Sequence, residues 1–78
     1  MIPDELVEDL ERLGVDVIEV FEDYVEVSAE SGEHLDYYPP FQDDPYISKE
    51  LMDLMDDYQC YLEWYNAGIA HIQLDYYY

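Results

Sequence analysis

Two cationic side chains stand against twenty-one carboxylates in this chain, and that imbalance limits every fold open to it. Nineteen net negative charges, with histidine neutral, repel one another in any compact state. With few apolar residues such a chain would stay disordered. Half of the residues are hydrophobic, however, and 17% are aromatic, so folding is expected in spite of the repulsion. At 78 residues the reading is one acidic domain over 1–78. Its core is thin, because a chain of this length buries about 60% of the surface its unfolded form exposes. Ten tyrosines supply much of the apolar content while keeping a polar end that can stay wet.

Charge density sets the choice of partner. Duplex DNA carries one charge per about 1.7 Å of axis, so nineteen charges match roughly 32 Å of duplex. A compact chain of this length has a radius of gyration of about 11–12 Å. Nucleic acid and anionic membrane would both repel such a body, which leaves a basic protein surface as its partner. The start of the chain, Met1-Ile2-Pro3-Asp4-Glu5, has neither a basic nor an apolar stretch, and the run from Trp64 to Leu74 is too short to span a bilayer. Cys60, the one cysteine, forms no internal disulfide and fits a reducing compartment. The expectation is a soluble, cytoplasmic protein.

Periodicity predicts the order α-β-β-α-β. Leu6, Leu10 and Leu13 recur at helical spacing over residues 3–13, with Pro3 at the start and Gly14 at the stop. Residues 15–28 read as a hairpin centred on Glu22-Asp23, pairing Val20 with Val25, Ile18 with Val27 and Glu19 with Glu26. Residues 29–46, with Gly32, Pro39-Pro40 and Pro45, read as a long loop anchored by Tyr37, Tyr38 and Phe41. Residues 45–67 read as the strongest helix. Ile47, Leu51, Leu54, Met55, Tyr58, Tyr61, Leu62 and Tyr65 form its stripe, Asp44-Pro45 or Ser48 caps it, and Gly68 ends it. Residues 69–76 alternate as a third strand. The predicted fold class is α+β, a three-stranded, mainly antiparallel sheet with two helices on one face.

Motifs for chemistry are scarce. No stretch has the acid-glycine-glutamate frame of a calcium loop. Cys60, His34 and His71 lack zinc spacing. His34 with Asp36 is too common a pairing to name a base, and acids around Cys60 would raise rather than lower its pKa. No catalytic residue, metal site or cofactor is therefore assigned. The partner-binding candidates form two acidic patches. One is a row on the second helix, Glu50, Asp53, Asp56, Asp57 and Glu63. The other is on the hairpin, Glu19, Glu22, Asp23 and Glu26. Ordinary exposed helices interleave cations for i,i+4 support, and these rows have almost none. Tyr58, Tyr61 and Tyr65 are expected in the core.

In size, acidity, tyrosine content and scarcity of Lys and Arg, the chain resembles phage-encoded DNA mimics. These include uracil-DNA glycosylase inhibitors, anti-restriction proteins and some anti-CRISPR proteins. The resemblance covers the whole chain but only in size and charge; it rests on no motif and carries no fold. It implies a non-catalytic inhibitor that occupies the nucleic-acid groove of a CRISPR effector or restriction-type enzyme in the host cytoplasm, without touching nucleic acid itself. Two alternatives stay open: an acidic domain from a halophile, and an antitoxin-like partner of one basic protein.

Overall fold

A computed structural model describes residues 2–30 and 33–75. The element order is α1 (Asp4–Leu13), β1 (Asp16–Val20), β2 (Tyr24–Ser28), β3 (Leu35–Asp36), β4 (Tyr46–Ile47), α2 (Lys49–Asp57), β5 (Cys60–Asn66) and β6 (Ile69–Leu74). The fold is α+β. Four antiparallel strands form the main sheet in the order β1-β2-β6-β5, and β3 and β4 form a small second sheet. This corrects the three-stranded expectation, and the reason lies in one segment. The helix read over 45–67 ends at Asp57, and Cys60–Asn66 is a strand.

That segment carries both periods. Tyr58, Tyr61, Leu62 and Tyr65 fit a helical stripe, but Cys60, Leu62 and Trp64 also alternate with Tyr61, Glu63 and Tyr65. The break falls at Gln59, whose φ of 57° is left-handed and unusual for a residue that is not Gly, Asn or Asp. Asn66 then turns the chain into β6, its Oδ1 accepting from the Gly68 backbone N–H at 2.8 Å, as Asx turns do.

α1 forms as expected. Asp4 and Glu5 occupy its first turn and Arg12 its last, complementing the dipole. Gly14, at φ 106°, closes it, donating to the Leu10 and Glu11 carbonyls. In the hairpin, Val20↔Val25 and Glu19↔Glu26 pair as expected. Val17, not Ile18, faces Val27, because a bulge inserts Ile18 and turns it to solvent, 48% exposed. The long loop is tied at its base by Leu35↔Ile47 and Asp36↔Tyr46.

One core holds the layers together. Leu6 and Leu10 of α1, and Leu51 and Met55 of α2, pack with Val25, Val27, Ala70 and Ile72 of the central strands. Both helices thus cover the same sheet face. Burying such side chains stabilises by about 1.5–3 kcal/mol each. The radius of gyration is 11.7 Å and the body measures 34 × 24 × 21 Å.

Candidate polyanionic interface

Among the described residues the opposite sheet face carries no helix, and its side chains follow from strand alternation. Beside each inward residue of β2, β6 and β5 stands an outward one. In register, Glu19, Glu26, His71 and Glu63 form a row across all four strands. The next row holds Tyr24, Gln73 and Tyr61. Like charges directly opposite destabilise a sheet by a fraction of a kcal/mol, up to about 1. His71 relieves part of this, its Nε2–H donating to Glu26 Oε2 at 3.2 Å. Gln73 links its neighbours: the Tyr61 hydroxyl donates to Gln73 Oε1 at 3.1 Å, and Gln73 Nε2 donates to Glu63 Oε1 at 3.4 Å.

Across the same face runs a ladder of rings. Phe21 stacks on Tyr24 at 4.6 Å between centroids, Tyr24 lies 4.4 Å from the His71 ring, and Tyr65 stacks on His71 at 5.2 Å. Tyr65 follows Tyr61 and Glu63 onto this face by strand alternation, at the bulge between Trp64 and Asn66. Tyr65 is 68% exposed. The expectation that Tyr58, Tyr61 and Tyr65 are core is therefore corrected: Tyr58 is half-buried, and Tyr61 and Tyr65 are exposed. The terminal Tyr76-Tyr77-Tyr78, read as a strand end or an edge partner, lies outside the described residues.

The acidic candidates separate into different places. Glu50, Asp53, Asp56 and Asp57 are exposed on α2. Glu63, expected among them, sits on β5, on the open sheet face with Glu19 and Glu26. Glu22 and Asp23 are exposed in the hairpin turn between β1 and β2. Both cations of the chain lie in the helical layer. Arg12 donates to Asp9 Oδ1 at 2.7 Å, and Lys49 to Asp53 Oδ2 at 2.8 Å. The hydrogen bond and charge of Asp53 raise the Lys49 pKa. A groove of about 380 Å³ between the helices is lined by Asp9, Arg12, Leu13, Glu50, Asp53, Leu54 and Asp57. At its side the Tyr58 hydroxyl donates to Asp9 Oδ2 at 2.7 Å, and that bond, with added burial and acidic neighbours, pushes the phenol up to about 12.

Sequence reasoning missed the pairing of His34 with Ser48. His34 Nε2–H donates to the Leu13 carbonyl at 3.0 Å, and in the neutral ring Nδ1 accepts from Ser48 Oγ–H, 2.8 Å away. A hydroxyl on an imidazole resembles an activated nucleophile. Ser48, however, is 2% exposed, and its Oγ also accepts from the Leu51 N–H as the N-cap of α2. The arrangement pins the loop, the end of α1 and the start of α2 together. Asp36 plays no part in it; its Oδ1 accepts from the Tyr38 N–H. Burial pushes the Cys60 thiol pKa up, away from reactivity. Among the described residues no cluster of three or more His, Cys, Asp or Glu is arranged to hold a metal ion, and no helix is long and apolar enough to cross a membrane.

Comparison with known proteins finds no matching family model, no matching curated protein and no matching solved structure.

Proposed function

We propose that this chain is a non-catalytic inhibitor that mimics nucleic acid and occupies the basic DNA- or RNA-binding groove of a defence nuclease or complex, in the manner of anti-CRISPR and anti-restriction proteins. The observation that carries this reading is charge per length. Nineteen net negative charges sit on a body 34 Å long, and a duplex of that length carries about 20. The two cations are held on the helices, so the sheet face offers carboxylates with aromatic rings among them. A basic groove complements that field and gains on-rate from it, while nucleic acid itself is repelled.

Capture of the target from a host lysate, followed by competition, tests the reading. Cognate DNA or RNA is expected to displace the chain from its target, and affinity is expected to fall steeply as salt rises. Simultaneous binding of nucleic acid and this chain at saturation would overturn steric mimicry. The chain is expected to be folded in dilute buffer; a requirement for molar salt would favour an acidic halophile domain instead.

A further inference from the structure

We infer that the open sheet face is an arginine-docking surface: the outer faces of the Tyr65 and Phe21 rings take guanidinium groups of a basic protein, and Glu63 and Glu19 bind their nitrogens. This rests on the proposed basic partner and adds which face meets it and which cation it presents.

The ring ladder carries the argument. Tyr24 and His71 each meet two rings in it: Tyr24 is stacked on Phe21 and tilted against His71, and His71 is stacked on Tyr65. Phe21 and Tyr65 end it, each with one neighbour in the ladder, and at 36% and 68% exposure both keep ring surface open to a ligand. Neighbouring rings hold the end rings in place before any ligand arrives, which lowers the ordering cost of binding. A planar guanidinium stacks on such a face and presents its N–H fork to a carboxylate in the same contact. Glu63 stands two residues before Tyr65 on the same strand face, and Glu19 two before Phe21. A lysine ammonium is a compact, strongly hydrated point charge that meets the carboxylate but stacks poorly.

Charge excludes the other occupants. A second copy of the chain would set its own Glu19, Glu26 and Glu63 against these, and its Arg12 and Lys49 lie in the helical layer. Nucleic acid would bring further anions. A cationic protein segment complements the surface, and the rings select arginine within it.

Oligo-arginine and oligo-lysine peptides of equal length, titrated into the full chain by calorimetry, test this. The arginine peptide is expected to bind about two- to fivefold more tightly. Tyr65→Ala combined with Phe21→Ala is expected to abolish that preference and leave the salt-dependent binding common to both peptides. Tyr65→Phe is expected to retain it. Equal affinities in the wild type, or a preference that survives the double alanine change with melting unaltered, would overturn the inference. Should the double variant fail to fold, methylguanidinium titrated into the wild type decides: His71 and Tyr65 ring resonances are expected to move first, and movement confined to the helices contradicts the assignment. A captured target that competes with nucleic acid yet ignores both alanine changes would overturn this inference and leave the proposed function standing. A target that tolerates nucleic acid while the arginine preference holds would do the reverse.

Discussion

On the helical side of the molecule Asp9 has Arg12 at 2.7 Å and Asp53 has Lys49 at 2.8 Å; on the open sheet face Glu26 meets a histidine at 3.2 Å. The two sides are built from the same acidic stock. The helices hold one i,i+3 and one i,i+4 ion pair, each of a kind worth a few tenths of a kcal/mol. The sheet sets Glu19 directly against Glu26, which local stability disfavours. It also places exposed Tyr61, Tyr65 and Phe21 beside those acids. On the helices the cation pairs account for Asp9 and Asp53, and the dipole for the acids of the first turns; Asp56 and Asp57, in the last turn of α2, gain from neither. The acids on the sheet gain an explanation from a cationic partner.

The largest expected effect breaks the support that both sides share. Leu51 is fully buried between helix and sheet, and Leu51→Ala is expected to cost about 2–5 kcal/mol. Small domains hold about 5–15 kcal/mol in all, so thermal melting should show a destabilised or unfolded chain; an unchanged melting temperature would mean that α2 does not seal the core. Next comes the pin between the layers. Ser48→Ala removes the N-cap of α2 and orphans His34 Nδ1, and about 2 kcal/mol is expected to be lost. A double-mutant cycle with His34→Ala should show strong coupling; additive losses would contradict a shared network.

Smaller changes sharpen the contrast between the sides. Glu19→Gln removes one member of a cross-strand like-charge pair and is expected to stabilise the chain by a few tenths of a kcal/mol, up to about 1. Asp53→Asn removes the partner of Lys49 and is expected to leave stability within about 0.5 kcal/mol. Chemical denaturation of both variants checks that the sheet change stabilises while the helix change has little effect. The Tyr58–Asp9 bond gives an alkaline signature. The phenol, ordinarily near 10, is raised to about 12 in the folded chain, so the fold keeps a proton that the unfolded chain loses. Its contribution is complete below about 10 and fades as pH rises towards 12. Tyr58→Phe is expected to remove that part of the alkaline loss, as followed by melting across this range.

The same two regions differ in how far they can be read from sequence. α1 was legible because Pro3 and Gly14 punctuate a leucine stripe. The Val20↔Val25 and Glu19↔Glu26 register is legible because it gathers the apolar residues on one face, where Val25 and Val27 are buried, although Val20 on the edge strand is 45% exposed. Ile18 was misplaced because nothing in its surroundings marks the bulge. β5 is hidden because its aromatic residues satisfy both periods, and Gln59, the left-handed residue just before it, is not the glycine or asparagine that announces such a turn. Since Glu63 and Tyr65 lie on β5, that one error also dispersed the candidate surface: the acids were named, but Glu63 was placed with the wrong neighbours. The hairpin register and the alternation of residues 69–76 already set Phe21, Tyr24 and His71 on one sheet face with Glu19 and Glu26; Tyr65 joins them only through the pairing of β5 with β6.

The central claim is that binding to a cationic partner runs through the sheet face rather than the helical face, and matched charge reversal tests it most directly. Glu19→Lys with Glu63→Lys on the sheet alters net charge by the same amount as Asp53→Lys with Asp57→Lys on α2. General steering is therefore weakened equally, and any difference in affinity reports location. Calorimetry against the captured basic target, at one low ionic strength and with folding verified by circular dichroism, is expected to show the sheet pair weakening binding about tenfold more than the helix pair, a difference of roughly 1.4 kcal/mol. Equal losses, or a greater loss from the helix pair, would contradict the claim.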